Sequence, residues 1–253
     1  MKRGDAPAGA EPEAVRRALE ELLEPGVSIA VWGVDVTALD VLPEEAETVT
    51  RAVERRRVEF ARGRSCARAA LTAAGGPAVA IPVGEQRQPV FPSGFVGSIT
   101  HCQGLVAAAV GRASSGQGGG IGGPTGEGAT NAGLAGLGID AEEARRVTPD
   151  ILDMVLTEFE RRGSSRAATP LDDDAGCVTF SAKEAVFKAV FPLTGEWLGF
   201  KAVGLEVSGS TFAVAWTADS VGRATSERLG RLEGRWRRVG GLILTACWVP
   251  DGD

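Results

Sequence analysis

Between Ala113 and Gly133 the chain is a low-complexity run dominated by Gly, Ser, Ala and Thr. Such a run has too little apolar side chain to offset the entropy of ordering it, so it cannot build a core and reads as a flexible connection. Folding is therefore confined to either side of it: an N-terminal half over residues 1–113 and a C-terminal half over residues 134–253, joined by a Gly-rich linker at 114–133. With 253 residues, 43% of them hydrophobic, the chain can bury a sizeable core as one large domain or two small ones.

Periodicity places the elements. In the first half, Glu13 to Leu23 has apolar residues at helical spacing, and Val27 to Val36 is rich in β-branched residues and reads as a strand. Pro43 to Ala74 reads as one long helix stopped by Gly75-Gly76, and strands are expected at Val79 to Val83, Gly97 to Cys102 and Leu105 to Val110. In the second half a strand ends in Gly-Ile-Asp-Ala-Glu-Glu (138–143), a helix spans Thr148 to Arg162, and a polar loop from Gly163 to Gly176 holds Asp172 to Asp174. A helix from Phe180 to Phe191 is expected to be capped by Ser181 and ended by Pro192. Strands follow at Gly204 to Val207, Thr211 to Trp216 and Leu242 to Val249, with a hairpin turn at Val239-Gly240-Gly241. This order is an α+β arrangement in two halves.

Three stretches carry chemistry. On the strand, Gly138, Asp140 and Glu142 share a face, so two carboxylates project together and stay ionised only beside a cation; a hard divalent ion such as Mg²⁺ suits them. On the second-half helix Glu184 and Lys188 are four apart, with Lys183 adjacent, which suits a metal-bound phosphate ester, although the same residues also satisfy a capping box and a surface ion pair. On the long first-half helix, Arg56 and Arg64 lie two turns apart and Arg57 and Arg64 one heptad apart, so two guanidinium forks can reach one phosphate ligand. His101 is the single histidine and can donate to phosphate.

A net charge of −6 argues against a general nucleic-acid binder and gives no field for a membrane surface. No apolar run approaches the roughly 20 residues needed to span a bilayer. Nothing at the start resembles a signal peptide, so a cytoplasmic protein is expected. Cys66, Cys102, Cys177 and Cys247 form no CxxC pair and are expected to be reduced, mostly buried thiols.

Gly138-Ile139-Asp140-Ala141-Glu142 followed by Phe180-Ser181-Ala182-Lys183-Glu184-Ala185-Val186-Phe187-Lys188 resembles the paired signature of the 4′-phosphopantetheinyl transferases of the surfactin-synthetase-activating type, G-x-D-x-E and then [W/F]-[S/T/C]-x-K-E-A-x-x-K. The segment Arg55 to Leu71 is similar to the arginine-bearing helix of that family, especially its enterobactin-type and actinobacterial branches, and Gln86 to Pro92 leading into Gly97 to Cys102 is similar to a further motif. The resemblance implies two similar halves related by a pseudo-twofold axis, with coenzyme A in the cleft between them. It implies transfer of the phosphopantetheine arm of coenzyme A to a serine of acyl or peptidyl carrier domains, releasing adenosine 3′,5′-bisphosphate. Coenzyme A contacts are implied for Arg56, Arg64, Arg87, Ser98, Thr100, His101, Lys183 and Lys188; Val83 stands about where some members have a lysine. Asp140, Glu142 and Glu184 would hold Mg²⁺ or Mn²⁺, and Glu184, Lys188 and Asp140 would be catalytic, Glu184 as the base. The partners implied are carrier domains of fatty-acid, polyketide or nonribosomal-peptide synthases, met by a monomer that binds neither nucleic acid nor membrane. The competing reading is a non-catalytic coenzyme A or acyl-coenzyme A sensor on the same fold; a sensor has no need of the whole set of Asp140, Glu142, Lys183, Glu184 and Lys188.

Overall fold

A computed structural model of the chain describes residues 10–36, 40–102, 104–114, 133–144, 147–166 and 173–251. The expected linker lies almost wholly outside the described residues, as does Asp172. In the first half, α1 (Pro12–Leu22) starts on a proline, whose missing N–H has no partner to lose there, and buries Val15, Ala18, Leu19 and Leu22 along one stripe. After β1 (Ser28–Trp32), the long helix expected from Pro43 to Ala74 is broken into α2 (Pro43–Ala46), a 3-10 turn (Glu47–Val49) and α3 (Glu54–Ala73). The reason is Glu45. Its side chain is fully buried and accepts from the backbone N–H of Leu42 at 3.1 Å, from that of Ile81 at 2.9 Å and from the Arg68 guanidinium, which holds the α2 turn against α3 instead of in line with it.

β2 (Phe95–Cys102) and β3 (Leu105–Arg112) form a hairpin, and the antiparallel sheet has the order β1-β3-β2. The strand expected at 79–83 survives only as a bridge between Val83 and Pro89, because prolines at 77, 82, 89 and 92 remove the donors a ladder needs. The unbroken apolar run of β3 is explained by cover on both faces. Val106, Ala108 and Val110 pack under Cys66, Ala67, Ala70 and Leu71 of α3, whereas Leu105, Ala107 and Ala109 join a core shared with α1 and the second half.

In the second half, β4 (Leu134–Glu143) is followed by α4 (Pro149–Val155), α5 (Glu158–Arg166) and α6 (Asp173–Thr194), then by β5 (Val203–Ser208), β6 (Thr211–Thr217), α7 (Arg223–Leu229), β7 (Glu233–Val239) and β8 (Leu242–Pro250). The antiparallel sheet has the order β4-β8-β7-β6-β5, and Gly240 at φ 57° makes the expected turn between Val239 and Leu242. The helix expected from Thr148 to Arg162 is interrupted at Leu156 and Thr157, where Thr157 starts a new helix by a capping box with Glu160. Ser181 is no cap: α6 begins two turns earlier, with Cys177 and Val178 in its buried face, and Pro192 lies inside its last turn before Gly195 closes it at φ 67°.

Each half lays one long helix across an antiparallel sheet, and the two sheets meet edge to edge. β2 and β4 are both terminal strands, and they run parallel without a backbone ladder. Side-chain hydroxyls replace it: Ser98 Oγ accepts the Ile139 N–H at 3.0 Å and Thr100 Oγ1 accepts the Ala141 N–H at 3.1 Å, so the buried donors of an open edge are satisfied. Among the described residues no helix is long and apolar enough to cross a membrane.

Candidate active site

The site is built where α6 crosses β4. A Cβ at Gly136 would strike the Ala189 carbonyl oxygen and one at Gly138 that of Ala185, so only glycine lets the helix backbone lie directly on the strand. Two strand residues rise about 6.7 Å and four helix residues about 6.0 Å, so the next matched pair along the same faces is Asp140 and Ser181. Their side chains meet: Ser181 Oγ donates to Asp140 Oδ2 at 2.8 Å. Asp140 is buried, and its other oxygen, Oδ1, accepts from Lys188 Nζ at 2.7 Å and from Thr100 Oγ1 at 3.1 Å. Lys188 also reaches the Ile139 carbonyl at 3.3 Å.

One turn before Lys188 on the same face, Glu184 is half-buried, and burial raises its carboxyl pKa above the usual range; the Lys188 charge pulls it down and the Asp140 charge pushes it further up. Glu142, two residues beyond Asp140, is half-buried and lines the same cavity as Asp140, Glu184, Lys188 and His101. This cavity, about 600 Å³, adjoins a second of about 590 Å³, and both are bordered by Glu59, Ile99, His101, Glu184 and Lys188. The strand carboxylates and the α6 pair therefore sit in one cleft between the halves.

The second cavity is lined by Arg56, Arg64, Arg87 and Ser98. Arg64 is only 6% exposed; burial lowers its pKa to about 10, and its Nε has no hydrogen-bond partner among the described residues. Its guanidinium carbon lies 4.8 Å from the Phe60 ring centre. An arginine buried this deeply, with no carboxylate paired to it among the described residues, is a strong anion site, since a bound anion would offset the desolvation cost it now carries. Arg56 is exposed at the rim, 3.6 Å from Glu59, while Arg57 pairs with Glu54 and does not line the cleft. Arg87 sits at the tip of a tight turn closed by Gly84 N–H to Gln88 O at 2.8 Å, and its φ of 68° is a left-handed conformation that a non-glycine residue rarely adopts. His101 faces the cleft, and desolvation by its walls holds the imidazole pKa below its ordinary value, so it is neutral at neutral pH.

Of the expected coenzyme A contacts, Ser98 and Thr100 border the two cavities and Lys183 does not reach them. Ser98 and Thr100 are buried and spend their oxygens on β4. Lys183 is turned away from the cleft. Its ammonium is buried and donates to Glu160 Oε2 at 2.8 Å, to the Val155 carbonyl at 2.8 Å and to the Phe200 carbonyl at 2.7 Å, which uses all three of its protons. Burial lowers its pKa and Glu160 partly restores it. Glu160 in turn accepts from Thr157 and from the Leu205 N–H at 2.9 Å. Adjacent helical residues point about 100° apart, so Lys183 and Glu184 could not both face the cleft.

Comparison with known proteins decides the family. Residues 44–111 match the 4′-phosphopantetheinyl transferase N-terminal domain, and residues 136–237 match the 4′-phosphopantetheinyl transferase superfamily. The chain belongs to the 4′-phosphopantetheinyl transferases. It is 36% identical to the 4′-phosphopantetheinyl transferase PptT of Mycobacterium tuberculosis over 84% of this chain and 87% of that one. It is 40% identical to the 4′-phosphopantetheinyl transferase Svp of Streptomyces mobaraensis over 83% and 78%. With the 4′-phosphopantetheinyl transferase Npt of Nocardia iowensis the identity is 35% over 90% and 98%. The protein is thus an enzyme of the actinobacterial type that transfers phosphopantetheine onto carrier proteins, with coenzyme A as its substrate.

In this transferase the carboxylates that border the first cavity, Asp140, Glu142 and Glu184, offer oxygen atoms only, the chemistry a hard divalent ion prefers. Among the described residues no group of three acidic, histidine or cysteine side chains is placed to hold a metal ion, so an ion at these carboxylates would have to complete its shell from water and substrate phosphate. Sequence reasoning missed Glu160 and Thr245. Glu160 had a signal, the Thr157-x-x-Glu160 capping pattern; Thr245, at 2.9 Å from Ser181 Oγ on an apolar strand, had none.

Proposed function

We propose that this transferase holds the nucleotide end of coenzyme A against Arg56, Arg64 and Arg87 and the diphosphate beside His101, Lys188 and the three carboxylates. The observation that carries this reading is the division of charge along one cleft: a buried, partner-seeking Arg64 at one end and the Asp140, Glu142, Glu184 and Lys188 group at the other. The acceptor serine Oγ bonds to the phosphorus that carries pantetheine, the bond from that phosphorus to the bridging oxygen breaks, and adenosine 3′,5′-bisphosphate leaves with that oxygen. Glu184 takes the serine proton; its burial raises its basicity above that of an ordinary carboxylate. Lys188 neutralises charge on the reacting phosphate, and His101 donates an N–H to a phosphate oxygen. Asp140, Glu142 and Glu184 would hold Mg²⁺ or Mn²⁺, which supplies charge neutralisation and a template at the diphosphate. Carrier domains of fatty-acid, polyketide or nonribosomal-peptide synthases are the proposed acceptors, met by a monomer in the cytoplasm, a setting that suits four buried cysteines.

Calorimetric titration with coenzyme A separates the two ends. Arg64→Ala should raise Kd about tenfold or more, the effect of losing a charged hydrogen-bond donor. Glu184→Gln should bind coenzyme A within a few-fold of wild type and transfer nothing. Unchanged affinity in Arg64→Ala, or full transfer by Glu184→Gln, would contradict the reading.

A further inference from the structure

Counting the proton on each hydroxyl around Asp140 gives a result that its position in the motif does not. Ser181 Oγ donates its one proton to Asp140 Oδ2, so in the 2.9 Å contact between Ser181 and Thr245 it is Thr245 that donates. Thr100 Oγ1 accepts the Ala141 N–H, which leaves its own proton for Asp140 Oδ1. Lys188 also donates to Oδ1. A carboxylate offers about four lone pairs; three are engaged here, two on Oδ1 and one on Oδ2. Among the described residues, that leaves a single lone pair on Oδ2.

We propose that Thr100 on one carboxylate oxygen, and Ser181 backed by Thr245 on the other, are positioning residues that lock the Asp140 carboxylate in one rotation and leave only Oδ2 open toward a divalent cation. The inference rests on the reading of Asp140 as a carboxylate on the metal side of the site. Its new content is that this orientation is set from the other half of the molecule. Thr100 lies on β2, and the same hydroxyl oxygen that laces β2 to β4 carries the proton that fixes Oδ1. A carboxylate with both oxygens open would rotate between monodentate and bidentate contact; here buried Thr100 and Ser181 clamp it from opposite sides. The halves therefore have to be docked for the cation site to be formed.

The test uses the full-length protein with coenzyme A present and Mn²⁺ as the probe, its free concentration read by electron paramagnetic resonance and the fold checked by urea midpoint. Thr100→Val keeps the shape and removes the hydroxyl; the Mn²⁺ Kd should rise about 10-fold or more, as expected for an outer partner of a metal ligand. Thr100→Ser keeps the hydroxyl and should return the Kd to within about 2-fold of wild type, a rescue that a packing role for the methyl group would not give. Ser181→Ala should weaken Mn²⁺ by a comparable factor without touching the β2–β4 lacing. If Thr100→Val and Ser181→Ala both bind Mn²⁺ as wild type does while Asp140→Asn does not, the positioning proposal is overturned and the role of Asp140 stands. If Asp140→Asn also binds Mn²⁺ normally, the metal reading of Asp140 fails first.

Discussion

Replacing Lys183 by methionine separates a structural ion pair from a phosphate ligand. The substitution keeps the length and most of the volume of the side chain and removes the charge. The side chains of Lys183 and Glu160 are 3% and 5% exposed, so solvent screening does not soften the loss. Glu160 would keep its bonds from Thr157 and the Leu205 N–H but would lose the Lys183 ammonium from a buried site, and the Val155 and Phe200 carbonyls would each lose a donor. Removing one partner of such a pair costs about 3–5 kcal/mol. For a chain of this size each kcal/mol shifts the melting midpoint by roughly 2–4 °C, so a fall of roughly 6–20 °C is expected. The assay is urea unfolding of the free protein, read by the midpoint at constant slope, alongside a coenzyme A titration at a temperature where the variant is folded. The double variant Lys183→Met with Glu160→Gln should recover part of the loss, because the buried carboxylate that Lys183 neutralised is gone as well. A midpoint within about 1 kcal/mol of wild type, combined with a large loss of coenzyme A affinity, would refute the reasoning and return Lys183 to the phosphates.

Further outcomes follow from the same geometry. Gly138→Ala drives a Cβ into the Ala185 carbonyl oxygen and should cost at least about 1–3 kcal/mol and abolish transfer, whereas Gly199→Ala, with open space around it, should be neutral by thermal melting and by activity. The rate of transfer at saturating substrates should fall as pH falls through the raised pKa of Glu184, because the base must be ionised; a rate that stays flat down into the ordinary carboxylate range would contradict this. Burial pushes the thiols of Cys66 and Cys177 up to about 12, and Cys102 and Cys247 are buried as well. A thiol reagent at mild alkaline pH should therefore modify none of the four cysteines in the folded protein and all of them in denaturant.

Much of this was legible in the sequence because it depends on local spacing. The period of two puts Gly138, Asp140 and Glu142 on one strand face, and the period near four puts Glu184 beside Lys188. The hairpin at Gly240 needs only the left-handed freedom of glycine. What was illegible depends on partners far along the chain. Ser-x-x-Glu reads the same at a helix start and within a helix, and only the buried Asp140 facing Ser181 decides between them. Lys183 follows the motif, but its direction is set by Glu160 and the end of α4. The break at Glu45 is fixed by Arg68 and Ile81, and β7, with its Arg-Trp-Arg-Arg run, shows no clean alternation until β8 pairs with its edge and α1 packs against it. Likewise the hydroxyls of Ser98 and Thr100 look like ligand contacts until the facing edge of β4 is seen.

The most direct test of the central claim is the intact mass of a purified apo carrier domain incubated with this protein, coenzyme A and Mg²⁺, with a chelator control. The account predicts a gain equal to one phosphopantetheine arm on the acceptor serine, lost when the ion is removed and lost in Glu184→Gln. A carrier that stays in the apo form while the protein binds coenzyme A would contradict it, as would a gain untouched by the chelator.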